Sequence, residues 1–283
     1  MHETKTGQSV ISKAVIPAAG FGTRMLPITK SIPKEMLPVG RKPMIQHLLE
    51  EAVAAGLKQV CIVIREGKEV IRDYFCAQTR KRDQSIDELE RLRSACELVF
   101  IYQERPAGLG DALLQAREFA GGESFVMMIP DQLMRSSVPA TLQLIRRWRP
   151  SESPHVFSSF LRLAKEDVPF FAGARGVEIE REREDGEFVI SRLQTEEETR
   201  AAFSDSKHEL RGFGRTVYPP EIFDYLGQDF INPANGEVDL WKTFEKCAGR
   251  IAHRGVVLEG EPFDMGTFEG YYNYLPRFRE SEA

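Results

Sequence analysis

Lys13-Ala14-Val15-Ile16-Pro17-Ala18-Ala19-Gly20-Phe21-Gly22-Thr23-Arg24 carries the reading of the whole chain. The run Ala14-Val15-Ile16 is apolar without alternation, the pattern of a strand buried on both faces. It leads into Gly20 and Gly22, which allow a sharp bend and let backbone N–H groups approach an anion. Arg24 adds a permanent cation with forked donors suited to phosphate oxygens. Lys34, in Lys34-Glu35-Met36-Leu37-Pro38, adds a second cation. A strand ending in such a loop points to a phosphate ligand, and the pair of cations points to a nucleoside triphosphate.

The same texture recurs downstream. Val60-Cys61-Ile62-Val63-Ile64, Leu98 to Tyr102 and Phe125 to Ile129 are further apolar runs. Amphipathic stretches separate them, over 44–55, 67–76, 83–95 and from Gly108 onward. A helix over 138–148 and a strand over 155–163 continue the alternation. Strand–helix repetition at this spacing predicts a doubly wound, mostly parallel α/β sheet. Pro43 suits the first position of the helix that follows it. Pro27, Pro33, Pro38 and Pro43 stiffen the long loop between the first strand and that helix.

After about residue 165 the elements become shorter and mixed: strands near 177–180, 188–193, 210–218 and 250–258, and helices near 219–227, 237–248 and 267–279. The predicted organisation is a nucleotide-binding core over 1–165 and a smaller mixed α/β lobe with a C-terminal helix over 166–283. The two are expected to pack as one continuous unit.

Composition narrows the function classes. With 283 residues, 42% hydrophobic and 29% charged, the chain has the make-up of a soluble globular enzyme. A net charge of -5 argues against a general nucleic-acid binder. No run approaches the roughly 20 apolar residues of a membrane span. The polar segment from Met1 to Ser12 lacks the apolar core of a secretory signal. Cys61, Cys76, Cys96 and Cys247 have no Cys-x-x-Cys spacing, so a reduced, cytoplasmic protein is expected. The five histidines have no metal-ligand spacing. Neither G-x-x-x-x-G-K-[ST] nor G-x-G-x-x-G is present, which removes a P-loop and makes a dinucleotide-dependent dehydrogenase a poor fit.

In an open α/β sheet, ligands bind beyond the carboxyl ends of the strands. The first strand ends in the Gly20–Arg24 loop, the third in Gln103 ahead of Gly108-Leu109-Gly110, the fourth in Pro130-Asp131. All three converge on one crevice. Asp131 and, in Phe263-Asp264-Met265-Gly266-Thr267, Asp264 are each most simply read as helix caps when taken alone. Beside the glycine loop and the two cations they become carboxylates able to hold Mg²⁺.

Residues 13–47, with Pro17-Ala18-Ala19-Gly20-Phe21-Gly22-Thr23-Arg24-Met25-Leu26-Pro27, Pro33-Lys34-Glu35-Met36-Leu37-Pro38 and Lys42-Pro43-Met44-Ile45-Gln46, resemble the bacterial UTP–glucose-1-phosphate uridylyltransferases of the sugar nucleotidyltransferase superfamily. The resemblance is close to about residue 131 and looser beyond. It implies a Rossmann-like nucleotidyltransferase fold and a Mg²⁺-dependent exchange of UTP and a sugar 1-phosphate, by default glucose 1-phosphate, for UDP-sugar and pyrophosphate. It implies Ala19, Gly20, Gly22 and Thr23 at the nucleotide, and Glu35, Gln103 and Gly108 at the uracil. Arg24 and Lys34 match the catalytic cations on the triphosphate; Asp131 and Asp264 match the metal carboxylates.

The second half departs from the family. A Val-Glu-Lys-Pro segment, whose Glu holds sugar hydroxyls and whose Lys holds the sugar phosphate, aligns with Arg192-Leu193-Gln194-Thr195. Gln194 can still bond hydroxyls, but Thr195 cannot replace an ammonium, and no lysine lies between Lys165 and Lys207. Arg192 is expected to face away from Thr195 on a strand. Tyr-Gly-Val is blurred into Phe171-Ala172-Gly173-Ala174 or Gly176-Val177, which leaves Gly173 and Gln194 as the sugar-binding candidates. Gly212-Phe213-Gly214-Arg215 and Gly236-Glu237-Val238-Asp239-Leu240 still resemble the family. Two readings follow: an active uridylyltransferase, or a catalytically weakened paralogue that binds nucleotide or UDP-sugar in a regulatory or partner-binding role. The aromatic tail from Phe268 to Phe278 is amphipathic at helical spacing and serves either its own chain or a homodimer, the expected assembly.

Overall fold

The computed structural model describes residues 11–79, 83–105, 107–151, 153–164, 166–171, 175–201, 208–226, 238, 240–247 and 249–279. The opening run forms β1 (Lys13–Pro17). Chain order continues with β2 (Pro38–Val39), β3 (Lys42–Pro43), α1 (Met44–Ala54), β4 (Gln59–Ile64), α2 (Glu69–Cys76), α3 (Gln84–Ala95), β5 (Glu97–Tyr102), α4 (Gly108–Gln115), α5 (Arg117–Ala120) and β6 (Phe125–Met128). Then come β7 (Gln132–Arg135), α6 (Ala140–Arg147), β8 (His155–Ala164), β9 (Val177–Glu182), β10 (Glu187–Leu193), α7 (Glu196–Ala201), β11 (His208–Tyr218), α8 (Leu240–Cys247), β12 (Ala252–Val257), β13 (Glu261–Asp264) and α9 (Phe268–Arg279).

One nine-stranded sheet runs β5-β4-β1-β6-β11-β8-β12-β10-β9. β5, β4, β1 and β6 are parallel neighbours, as are β8 and β12. β11 is antiparallel to β6 and β8, and β10 is antiparallel to β12 and β9. Seven strand directions therefore agree and two oppose them. Strands from both halves of the sequence lie in this one sheet.

Alternate residues of the central strands go to opposite faces. Ala14, Ile16 and Ile62 join Leu48 of α1, Leu144 of α6 and Tyr274 of α9 in one buried cluster. Val15, Cys61, Val63 and Met127 join Leu113 of α4 and Leu240 of α8 in another. Both faces are thus apolar and helix-covered, which is why the runs read without alternation. Each fully buried valine, leucine or isoleucine among them contributes about 1.5–3 kcal/mol.

The register of β11 shapes the crevice. Arg215–Tyr218 pair with Met128–Phe125, so His208–Gly214 extend past the carboxyl end of β6 along β8. Seven residues at roughly 3.3 Å each make an overhang of about 20 Å. This overhang walls the side of the crevice away from the Gly20 loop. A separate two-stranded ladder, β7 with β13, sets Gln132 opposite Asp264.

Some boundaries differ from expectation. Pro43 caps α1 instead of starting it, because its extended backbone (ψ 153°) pairs in the β2–β3 ladder. The predicted helix over 219–227 is a 3-10 turn, Pro220–Asp224, within the residues described there. The 132–135 strand was not expected. The long loop contains three 3-10 turns, Thr23–Met25, Ile28–Lys30 and Lys34–Met36. α9 lies on its own chain, with Tyr274 fully buried and Tyr271 donating its hydroxyl to the Pro38 carbonyl. No helix among the described residues is long and apolar enough to cross a membrane.

Candidate active site

The loop after β1 is fixed at both ends. Gly22 takes φ +66°, and a Cβ there would also meet Thr29 Cγ2 at 3.0 Å. Thr29 in turn donates to the Gly22 carbonyl at 2.8 Å. Met25, fully buried, anchors the first 3-10 turn, so its neighbours Thr23 and Arg24 face outward at the crevice. Lys68 ties the loop from behind: its ammonium donates to the Ala18 carbonyl at 2.7 Å and to Glu35 Oε2 at 2.8 Å. That bond holds the Lys34–Met36 turn against the end of β1.

Lys34 reaches forward to Asp131 Oδ2 at 2.6 Å. Burial alone would lower its pKa, but Asp131, Glu35 and Asp264 outweigh that and hold the ammonium above its ordinary value. Burial likewise works to raise Asp131, and Lys34 together with Arg24 overcomes it, holding this carboxyl below the usual range.

Asp131 and Asp264 meet across Gly266. A Cβ on Gly266 would lie 2.5 Å from Asp131 Oδ2 and 3.1 Å from Asp264 Oδ1, so only glycine lets the two carboxylates stand together. Gly266 N donates to Asp264 Oδ1 at 3.0 Å, and Met265 N to the Asp131 carbonyl at 2.8 Å. Gln132 Nε2 donates to Asp264 Oδ2 at 2.9 Å, while Gln132 Oε1 accepts the Gly214 N–H at 2.6 Å. The Asp264 carboxyl is pushed up to about 7, first by burial and then by the negative Asp131. Neither aspartate works as a helix cap in this arrangement: the N–H that Asp264 accepts, that of Gly266, precedes α9.

Beneath this pair lies a buried clamp. Arg215, with no side-chain exposure, grips Glu51 with two bonds of 2.8 and 2.7 Å. Its remaining donors go to the carbonyls of Gln132 (2.9 Å), Gly214 (2.9 Å) and Ile129 (3.3 Å). The guanidinium therefore brackets the Pro130-Asp131 turn from both sides. Burial would raise Glu51, but Arg215 outweighs it and keeps the carboxylate below its ordinary range.

A cavity of about 500 Å³ opens over this platform, the size of a small-molecule site. Ala19, Gly20, Gly22, Thr23, Arg24, Lys34, Gln103, Gly108, Asp131 and Asp264 all line it. Gln103 is held by Asp111 and by the Gly108 carbonyl. Glu35, expected at the uracil, does not line the cavity: it is 1% exposed and turned to Lys68. Gln194, expected at the sugar, is not a lining residue either. Leu193 faces the cavity, so the next residue turns away, and Gln194 packs on Gly176 with its Oε1 buried and unbonded among the described residues. Gly173 lies outside the described residues. Arg192 is taken up by Glu178 and, at 2.8 Å, by Glu198.

Lining residues that the sequence reading did not single out include Gln132, Gly266 and Arg175. The signal for Gln132 and Gly266 was their adjacency to Asp131 and Asp264. The signal for Arg175 was a cation directly before Gly176-Val177.

Comparison with known proteins gives concordant results. Residues 13–171 match the nucleotidyl transferase family. The UTP–glucose-1-phosphate uridylyltransferase of Mycoplasma pneumoniae is 31% identical over 275 residues, covering 92% of this chain and 90% of that protein. The UTP–glucose-1-phosphate uridylyltransferase of Staphylococcus haemolyticus is 31% identical over 270 residues, covering 92% and 90%. A UDP-glucose pyrophosphorylase solved in complex with UDP-glucose superposes with a TM-score of 0.81 at 27% identity, covering 96% of this chain and all of that one.

Proposed function

From the premise that the chain belongs to the nucleotidyl transferase family, and within it to the UTP–glucose-1-phosphate uridylyltransferases, we propose that it makes UDP-sugar and pyrophosphate from UTP and a sugar 1-phosphate, with glucose 1-phosphate the default sugar. The observation that carries this reading is the meeting of Asp131 and Asp264 across Gly266, with Lys34 on one carboxylate and Arg24 beside it.

The donor set fits Mg²⁺. Burial first, and then the negative Asp131, push the Asp264 carboxyl toward neutrality, a situation that a divalent cation relieves. Mg²⁺ commonly takes one or two carboxylates and completes its shell with water and substrate phosphates. Asp131 and Asp264 would hold it, and it would neutralise and orient the phosphates of both substrates.

The remaining chemistry belongs to the chain. A phosphate oxygen of the sugar 1-phosphate forms a bond to the α-phosphorus of UTP as the bond to the β-phosphate oxygen breaks, and pyrophosphate leaves with that electron pair. Such transfer needs alignment and charge neutralisation more than covalent help. The Gly20–Thr23 loop and Gln103 with Gly108 position the nucleotide. Arg24 and Lys34 offset the charge gathering on the departing pyrophosphate. Lys34 is bound to Asp131, which places its ammonium beside the acid pair. Lys68 acts from behind by fixing Glu35 and with it the turn that carries Lys34.

Pyrophosphate release from UTP with a panel of sugar 1-phosphates tests the reading. Turnover with at least one sugar is expected. Tight binding of UTP or UDP-sugar with no turnover on any sugar would replace it with the paralogue that binds without catalysing.

A further inference from the structure

The cavity extends below the acid pair, along the face of the sheet that α4 and α8 cover. Gly214 holds Gln132 and through it Asp264. It faces the cavity, and so do Thr216 and Tyr218 further along β11. Thr216 lies two strand residues from Gly214, roughly 7 Å. Tyr218 pairs with Phe125 at the start of β6, whereas Asp131 lies past its end. The cavity therefore has an inner chamber beneath the acid pair. Its walls are Leu109 of α4, Leu240 and Phe244 of α8, and Met127 and Tyr218 of the sheet.

A polar row crosses this apolar chamber. Thr216 of β11, Ser158 of β8 and His253 of β12 stand on three neighbouring strands and all line the cavity. Thr216 Oγ1 donates to Ser158 Oγ at 3.3 Å, and Ser158 Oγ and His253 Nε2 are bonded at 2.8 Å. Phe244 stacks on the imidazole, centroids 4.8 Å apart, and fixes its plane. Burial pushes this histidine down to about 3, so the ring is neutral at physiological pH. Apolar walls, two hydroxyls and a neutral imidazole leave the chamber without a formal charge among its described residues.

The chemistry of an occupant follows. A carboxylate or an ammonium would give up its hydration there with no counter-charge. A hydroxyl alone meets the row and leaves the walls without contact. An acylamino group carries an N–H, a carbonyl and an apolar methyl on one short stem, and no charge. The chamber opens beneath the acid pair, so such a group on the sugar enters it while the 1-phosphate stays beside the carboxylates and their cations.

We propose that the second substrate is an N-acylated amino-sugar 1-phosphate, its acylamino group seated against Thr216, Ser158 and His253. This names the sugar class for the uridylyltransferase reading above and rests on that reading.

Pyrophosphate release from UTP is measured with glucose 1-phosphate, glucosamine 1-phosphate, N-acetylglucosamine 1-phosphate and N-acetylgalactosamine 1-phosphate, in wild type, His253→Phe and Ser158→Ala. Hydrogen bonds gained by the acylamino group predict a kcat/KM about tenfold or more higher for an N-acetyl sugar than for either unacylated one. His253→Phe keeps a ring against Phe244 and removes both nitrogens, so the ratio of acylated to unacylated kcat/KM falls about tenfold. Should that variant fail to fold, the same ratio in Ser158→Ala decides. A purely structural effect lowers all four sugars together and leaves the ratio intact, and an intact ratio overturns the assignment of the row. Wild-type turnover of glucose 1-phosphate at a kcat/KM equal to or above that of both N-acetyl sugars overturns the proposed sugar class and leaves the uridylyltransferase reading standing. No wild-type turnover with any sugar overturns both.

Discussion

Gly266→Ala should separate the chemistry from the fold. The position does not use a left-handed backbone, so alanine is conformationally admissible. Its methyl carbon would lie 2.5 Å from Asp131 Oδ2, whereas ordinary contact begins at 3.4 Å. The carboxylate must therefore move by about 1 Å, and it can, because the atom struck is the end of a side chain. That movement drags on the 2.6 Å bond to Lys34 and spreads the aspartates apart. A displacement of about 1 Å in a reacting constellation costs roughly a hundredfold in rate, or about 2.7 kcal/mol of barrier. The expected result is a kcat/KM for pyrophosphate release about a hundredfold below wild type. A weaker Mg²⁺ requirement curve should accompany it, with a melting temperature lowered by no more than a few degrees. An alanine variant within threefold of wild type, at the same Mg²⁺ midpoint, would refute the idea that closeness of the two carboxylates is what the site depends on.

Two further outcomes follow from the buried charges. Glu51→Gln leaves Arg215 buried without its counter-charge, which should destabilise the protein by about 3–5 kcal/mol in urea unfolding, whereas Glu51→Leu with Arg215→Met should recover part of that loss; equal stability of single and double variants would contradict it. Asp264, raised to about 7 by burial and by Asp131, keeps its proton below neutrality in the metal-free protein. Its folded pKa lies above the unfolded one, so ionising it costs stability increasingly from about pH 4 to pH 7. Metal binding must expel that proton, so Mg²⁺ affinity should rise from pH 6 to pH 7.5 with measurable proton release in calorimetry at pH 6.5. A pH-independent affinity over that interval would contradict the assignment.

The fold was legible where burial is two-sided. Lys13–Pro17, Gln59–Ile64 and Phe125–Met128 are apolar on both faces because helices cover both. The convergence of the Gly20 loop, Gln103 and Asp131 followed from strand direction alone. What the sequence could not convey is which way a side chain turns once a strand or turn ends. Glu35 differs from Lys34 by one residue, yet one is locked behind the loop by Lys68 and the other faces the crevice. Gln194 and Leu193 divide in the same way. The acid pair depends on a ladder that joins residues 132 apart, Gln132 with Asp264. Gln132-Leu133-Met134-Arg135 is too short to announce itself as a strand without its partner. Gly266 looks like any turn glycine until two carboxylates are placed on either side of it.

β11 joins the two halves of the chain at the crevice. Gly214 and Arg215 are its contribution to the acid pair: one holds Gln132, the other brackets the Asp131 turn and is itself neutralised by Glu51 from α1. These contacts are buried, charged and mutually dependent, so a change in any one of them exposes the others to a penalty of several kcal/mol. Two residues earlier on the same strand, Gly212 contributes one backbone bond to Arg175, and the neighbouring partners Gln194 and Thr199 are bonded through main chain or a single hydroxyl. Side chains at that end can be exchanged while the backbone pattern persists. The end with the acid pair is thus constrained by a network and the opposite end of β11 by a frame.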